Sequence, residues 1–129
     1  LWAKLLLVIF SLLLSFSQER LSKNTALAQR KFYSGSINLE NRNYEDAIRD
    51  LTSAFNLDRN GYYGELAYLW LGRAYALLAY SKADKRGLLS AIGFLNMYPY
   101  YFKRANYIDL QREFLGDIYL LLEEYSKAK

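Results

Sequence analysis

A short motif recurs along the chain at helical spacing and restricts the possible folds more than any other feature. Leu71-Gly72-x-x-Tyr75 returns as Leu115-Gly116-x-x-Tyr119, and a fainter copy, Ser34-Gly35-x-x-Asn38, lies upstream. Self-similarity of this kind is the sequence signature of repeat proteins, in which each structural unit stacks on its neighbour. We therefore predict that the chain consists of tandem copies of one unit.

A second pair of residues follows the glycine at the same distance in two of the three copies. Tyr44-x-x-Ala47 lies nine to twelve residues after Gly35, and Tyr125-x-x-Ala128 lies nine to twelve residues after Gly116. Glycine inside a helix costs about 1 kcal/mol relative to alanine, so its recurrence requires a packing reason. A glycine on one helix and an alanine opposite it allow two antiparallel helices to approach closely. The pattern predicts a helical hairpin in each copy, with the glycine at the crossing.

These residues resemble the tetratricopeptide repeat family, whose unit of about 34 residues is a helical hairpin. The resemblance extends from about Ala28 to the end of the chain, with repeats at about 28–61, 65–101 and 109–129, the last one truncated. It implies an all-α fold, an α-α superhelix or solenoid of antiparallel helical hairpins. The packing signature consists of Gly35, Ala47, Leu71, Gly72, Tyr75, Leu115, Gly116, Tyr119 and Ala128.

The spacing between the copies is irregular. Gly35 and Gly72 are 37 residues apart, whereas Gly72 and Gly116 are 44 residues apart. We therefore expect linker insertions at residues 62–64 and around residues 102–108. A plain helical bundle with accidental glycines is the alternative interpretation, and that fold is all-α as well.

The beginning of the chain is apolar over residues 5–16 and turns polar at Ser17-Gln18-Glu19-Arg20. A short positive lead, an apolar core of about 7–15 residues and small residues before a break describe a secretory signal peptide. Ser15 and Ser17 occupy the small-residue places, which predicts cleavage between Ser17 and Gln18. The product would be an exported protein, periplasmic or otherwise extracytoplasmic.

Two alternatives to a cleaved signal peptide remain for residues 1–17. A membrane-spanning helix needs about 20 apolar residues, so the run forms a single N-terminal anchor only if flanking residues join it. The run could also be a buried helix of the domain. Whether residues 1–17 are a cleaved signal peptide or an anchor, residues 18–129 form the helical domain. The chain would then contact a membrane only through residues 1–17.

The last copy of the motif predicts that the natural polypeptide continues. Tyr125 is expected to begin a second helix, whose partner face on Leu115, Ile118 and Leu122 would otherwise stay open. Repeat arrays usually end in a polar capping helix. We expect further repeats or another domain beyond Lys129.

The amino-acid composition excludes most classes of catalytic site. The chain has no cysteine and no histidine, so it has no disulfides, no thiolate or imidazole metal ligands and no Ser-His-Asp triad. The carboxylate pairs Glu113 with Asp117 and Asp46 with Asp50 lie four residues apart on helical faces, but nothing builds a pocket between them. The net charge of +4 is interspersed, without the basic stripe of a nucleic-acid binder. We expect no enzyme activity, no metal, no cofactor and no nucleic acid.

The resemblance implies a protein-binding module with a concave groove lined by the first helix of each hairpin. In that groove Arg73 is the cation, and Glu113 and Asp117 are the acids, which suits an extended or helical segment of an envelope protein. The predicted groove consists of Gln29, Phe32, Ser36 and Leu39, then Leu66, Leu69, Arg73 and Ala76, then Leu110, Glu113, Asp117 and Leu120. The predicted function is an exported or membrane-anchored, non-catalytic scaffold or adaptor. The alternative is the N-terminal sensory or positioning segment of a larger envelope enzyme or signalling receptor.

Overall fold

The computed structural model describes residues 2–128, and the side chains of residues 2–127. Over these residues the chain is 87% helical and contains no strand, which confirms the all-α prediction. The helices are α1 (Trp2–Glu40), α2 (Tyr44–Leu57), α3 (Tyr62–Ser81), α4 (Lys85–Asn96), the four-residue α5 (Tyr98–Tyr101) and α6 (Ile108–Ala128).

Helices that follow one another in the chain pack side by side. α1 packs on α2, α2 on α3 and α3 on α4, while α6 packs against both α3 and α4. α1 also contacts α3 directly. Two hydrophobic clusters result, one among α1, α2 and α3 and the other among α3, α4 and α6. Because α3 belongs to both clusters, it is buried on more than one face.

The turns after α1 and α3 have the same geometry. Arg42 has a φ of 64° and Ala83 a φ of 52°, so each turn contains one residue in the left-handed region. The N–H of Asn43 donates to the carbonyl of Asn38, and the N–H of Asp84 donates to the carbonyl of Ala79, both at 2.8 Å. A second hydrogen bond accompanies each one, from the N–H of the left-handed residue to the carbonyl three residues earlier, at 3.1 Å. This is the Schellman pattern, which satisfies the last carbonyls of a helix and reverses the chain.

Two of the three repeated glycines lie at close helix contacts. A Cβ at Gly35 would lie 2.7 Å from Cγ of Leu51, and a Cβ at Gly72 would lie 2.3 Å from Cδ2 of Leu95. The opposing residue is thus a leucine, one helical turn after the predicted alanine Ala47 in the first pair. Ala47 itself is fully buried beside this contact.

The third glycine does not lie at a crossing. A Cβ at Gly116 would have no neighbour within 4 Å, and Tyr119 and Leu120 beside it are exposed. The predicted second helix at Tyr125 is wrong, because α6 continues without a break to Ala128. The side chain of Ala128, predicted to pack on Gly116, lies outside the described residues.

The faces of α6 also differ from the expectation. Ile118 is buried, and Leu115 and Leu122 are half-buried against the core of α3 and α4. These three residues were expected to form an open face. The apolar spacing of α6 continues through Tyr125, and residues 117–128 contain no glycine or proline that would end a helix.

The expected linker at residues 62–64 is the first turn of α3. The carboxylate of Asp58 accepts the N–H of Tyr63 at 3.2 Å. A Cβ at Gly64 would lie 1.8 Å from the carbonyl oxygen of Asp58. The glycine therefore lets the end of α2 touch the beginning of α3, which removes the need for a linker. The irregular segment before α6 does lie within the expected range of 102–108.

α1 joins the apolar N-terminal run to the helical domain without a break. Residues 2–16 are all exposed, and Ala28 is the first buried residue of the helix. The apolar run is therefore not a buried helix of the domain. An 18-residue stretch of α1 is long and apolar enough to cross a membrane, a property that N-terminal signal sequences share.

Candidate functional site

The structure brings the predicted groove residues Arg73 and Asp117 to one surface cleft. Arg73 lies on α3 and Asp117 on α6, two helices that pack against each other. Both line a cleft of about 350 Å³, which the exposed Leu120 also lines. Its other lining residues are Ala76, Leu77, Ile118 and Leu121. The cleft is thus mainly apolar, with one cation and one acid among its lining residues.

A row of aromatic rings supports Arg73. Its guanidinium carbon lies 5.4 Å from the ring centre of Trp70 and 5.1 Å from that of Phe114. The Trp70 and Phe114 rings meet edge to face at 5.2 Å. Phe32 of α1 meets Trp70 in the same manner at 6.4 Å. The rings hold the arginine in place by cation–π attraction.

The sequence had not singled out Trp70 or Phe114. Each lies three residues before a predicted groove residue, Arg73 and Asp117 respectively, so each shares a helix face with it. That spacing is the signal that could have identified them. Aromatic residues are so frequent in this chain that spacing alone did not separate these two from the rest of the core.

Some predicted groove residues lie in the core. Leu69 is fully buried, and Phe32 and Leu66 are buried as well. Ala76 is also fully buried and Leu39 nearly so. Leu69 has no exposed surface, because α3 packs against several other helices.

The remaining predicted groove residues reach the surface to different extents. Gln29 and Ser36 are half-buried on α1, and the Ser36 hydroxyl donates to the carbonyl of Phe32 at 2.9 Å. Leu110 is half-buried on α6, while Glu113 is exposed there. The surface available on this side of the molecule therefore belongs mainly to α6 and the neighbouring part of α3.

The carboxylate pair of α2, Asp46 and Asp50, has a structural role. Asp50 is buried, and its Oδ2 accepts the Ser34 hydroxyl at 2.6 Å and the Asn38 amide at 3.0 Å. Its Oδ1 lies 3.5 Å from Arg49 Nε. These contacts join α1 to α2. Asp46 is exposed and pairs with Arg49, so the two acids occupy different environments and do not face a common pocket.

A second buried carboxylate, which was not predicted from the sequence, holds the segment between α4 and α6 in place. Glu65 of α3 accepts hydrogen bonds from the Tyr98 hydroxyl and from both the backbone and side-chain N–H groups of Asn106. The Tyr98 oxygen in turn accepts the N–H of Tyr107 at 2.9 Å. Both carboxylate oxygens of Glu65 thus accept hydrogen bonds from within the fold.

Two buried tyrosines have altered acidity. Burial, reinforced by the hydrogen bond to Glu65, raises the pKa of Tyr98 well above its usual range. Burial also raises the pKa of Tyr68, whose hydroxyl donates to the carbonyl of Phe94. Both phenols therefore stay neutral at physiological pH and act as hydrogen-bond donors.

Within residues 2–128 no three histidine, cysteine, aspartate or glutamate side chains come close enough together to hold a metal ion. Comparison of the chain with protein-family models, with curated proteins and with solved structures finds no match.

Proposed function

We propose that this protein is a non-catalytic scaffold of the tetratricopeptide type, anchored in a membrane or exported, which holds a segment of another protein. The observation that carries the proposal is the repetition of one hairpin geometry. The pairs α1–α2 and α3–α4 share a left-handed turn residue, the same turn hydrogen bonds and a glycine–leucine contact. Two such pairs behave as copies of one unit, in agreement with the sequence motif.

The packing order supports a solenoid. In a solenoid each unit contacts its neighbours, and the first helices of successive units lie side by side. Here α1 contacts α3, and α3 contacts α6. α6 thus takes the place of the first helix of a third unit. The three helices together offer one surface, on which Arg73 and Asp117 lie.

The chemistry of that surface favours a protein segment as the ligand. The cleft between α3 and α6 combines apolar walls with one guanidinium and one carboxylate. Helical or extended segments bind such surfaces through spaced apolar side chains, and charged groups set their register. We expect the partner segment to place an acidic side chain near Arg73 and an apolar one beside Leu120.

Crosslinking from two matched leucines tests this surface. Leu120 is 60% exposed in the cleft, and Leu89 is 51% exposed on α4, away from it. A photoreactive amino acid at position 120 should crosslink a discrete partner in cells, and the same group at position 89 should not. Identical products from both positions would contradict the proposal.

Charge reversal provides the second arm of this test. Arg73→Glu combined with Asp117→Lys should weaken the crosslink at position 120 by about tenfold, since a favourable charge contact becomes repulsive. The helical circular dichroism signal should not change, because Asp117 is exposed and Arg73 is only half-buried. An unchanged crosslink would exclude this cleft as the binding surface.

Between the two fates of residues 1–17, we propose the membrane anchor. The helix runs through the predicted cleavage point between Ser17 and Gln18 and enters the domain unbroken. At about 1.5 Å per residue, residues 17–27, which are exposed except for the half-buried Asn24, would hold the domain about 16 Å from the membrane. The full-length chain should stay with membranes on alkaline carbonate extraction. A soluble species that lacks residues 1–17 would overturn the anchor but leave the scaffold proposal intact.

A further inference from the structure

A second cleft, of about 700 Å³, lies between the end of α2 and the helices α3, α4 and α5. It shares no lining residue with the cleft of Arg73 and Asp117. Its volume lies within the range of small-molecule sites, about 300–1,000 Å³. Five aromatic rings line it: Phe55, Tyr68, Phe94, Tyr101 and Phe102.

Contacts among these rings hold the cleft in shape. Tyr68 stacks on Phe94 with ring centres 4.2 Å apart, and its hydroxyl donates to the Phe94 carbonyl. Tyr101 and Phe102 meet the Tyr68 ring edge on, at 5.7 and 5.6 Å. Because the rings come from several elements and fix one another, the walls are formed before any ligand binds. Ring edges and faces arranged in this way attract another flat ring.

The only charge that lines the cleft among the described residues is positive. Arg59 is its single charged lining residue, and no aspartate or glutamate lines it. Arg59 forms no ion pair with any residue of the described chain. Its guanidinium lies 5.3 Å from the ring centre of Phe55, and its Nη2 donates to the Asn56 side chain at 3.2 Å. A guanidinium has five N–H donors, and a carboxylate is the group that it binds with two of them at once.

The cleft also has free space beside a glycine. Gly93 of α4 lines it, and a Cβ there would have no neighbour within 4 Å. This differs from Gly72, where a leucine fills the equivalent space. Gly93 is therefore not required for helix packing, and its lack of a side chain leaves the cleft open.

We infer that this cleft binds a small aromatic carboxylate, with its ring among the rings around Tyr68 and its carboxylate on Arg59. The inference is independent of the proposed scaffold function, because it concerns a different surface and a different class of ligand. The scaffold surface would be unaffected by substitutions in this cleft.

Binding of 2-naphthoate to the full chain in nanodiscs tests the inference, by equilibrium dialysis with empty nanodiscs as the background. We expect one saturable site. Arg59→Gln should weaken binding by about tenfold or more, as expected for the loss of a hydrogen-bonded charge partner. The neutral analogue 2-naphthalenemethanol should bind the wild type about tenfold more weakly than the acid does. The alcohol and the acid should bind Arg59→Gln with equal affinity.

A matched pair of glycine substitutions locates the site. Gly93→Leu should abolish saturable binding because the new side chain occupies the cleft. Gly116→Leu should bind as the wild type does, since Gly116 also has free space at its Cβ but lies on α6. Equal binding to the two variants, unsaturable uptake, or equal affinity for the acid and the alcohol would overturn the inference.

Discussion

At the scale of single residues, the three repeated glycines show that one motif can occupy different surroundings. Gly35 and Gly72 each lie against a leucine of the next helix, whereas Gly116 faces free space. The motif has the same local effect in every copy, since it places a glycine within a helix. Whether that glycine is needed depends on which helix, if any, lies opposite.

Substitution by alanine should therefore change the free energy of unfolding in opposite directions at Gly72 and at Gly116. Gly72→Ala places a Cβ within 2.5 Å of Cγ of Leu95, and overpacking of this kind costs about 1–3 kcal/mol. In Gly116→Ala the new Cβ has no neighbour within 4 Å. This variant should raise the free energy of unfolding by up to about 1 kcal/mol, the difference in helix propensity between alanine and glycine. Urea denaturation of both variants measures this. Similar shifts in both would show that Gly72 is not at a tight contact.

The left-handed turn residues offer a stabilising substitution. Ala83 has a φ of 52° and is exposed, so its Cβ is strained and makes no compensating contact. Ala83→Gly should raise the free energy of unfolding by about 1 kcal/mol, because glycine adopts this conformation without strain. Ala83→Val serves as the control and should lower it, since a β-branched residue is strained further there. Thermal denaturation of the three proteins should rank them glycine, alanine, valine.

At the scale of elements, the segment from α5 to the start of α6 depends on one carboxylate. Glu65 reaches Tyr98 and Asn106, and Tyr98 reaches Tyr107. These bonds position α6 beside α3. The placement of the Arg73 and Asp117 cleft therefore depends on a buried polar group that is distant from the cleft itself.

Removing that carboxylate should destabilise the protein and loosen the segment. Glu65→Ala leaves the Tyr98 hydroxyl and the Asn106 N–H groups without their acceptor, at a cost of about 3 kcal/mol. Glu113→Ala, which removes an exposed glutamate from α6, should change stability by less than about 0.5 kcal/mol. Hydrogen exchange should show faster exchange at the Asn106 amide in Glu65→Ala alone. Retained protection there would mean that the segment is held by other contacts.

The buried tyrosines predict loss of stability at alkaline pH. Burial raises the pKa of Tyr68 above its ordinary value of 10.0, so the folded state retains a phenolic proton that the unfolded chain releases first. The stabilising contribution is complete below pH 10 and decreases as the pH rises from there toward the folded pKa. Tyr68→Phe should flatten the decline in unfolding free energy between pH 9 and about 11. Equal slopes for both proteins would contradict a raised pKa.

At the scale of the whole molecule, α1 belongs to two environments. Its second part packs against α2 and α3, while residues 2–16 of its first part are exposed. The 39-residue helix is thus a rigid connection between an apolar run and the helical domain. The proposed membrane anchor rests on this continuity.

The domain should not depend on the apolar run for its stability. Residues 2–17 are all exposed, so none of these side chains belongs to the core that a deletion of residues 1–17 would leave behind. The shortened protein should retain its helical content and unfold within about 2 °C of the full chain, a shift that corresponds to less than about 0.5 kcal/mol. Differential scanning calorimetry of both proteins checks this. A large drop in the midpoint would mean that the run packs on the domain.

The sequence by itself determined the helical class of this protein, the places where glycines recur within helices and the presence of an apolar N-terminal run. These properties depend on local spacing, because a period of 3.6 residues and a recurring glycine are visible along the chain. The turn residues Arg42 and Ala83 were not predicted, since neither is the glycine that favours a left-handed conformation.

Only the tertiary structure decided which side chains are buried and which meet. Leu69 and Arg73 are four residues apart on α3, yet one lies in the core and the other reaches the surface. The difference arises because α3 packs against α2, α4 and α6 at once. Likewise, Leu95 opposes Gly72 while nothing opposes Gly116, because a contact requires two elements and the spacing within one of them cannot specify the other.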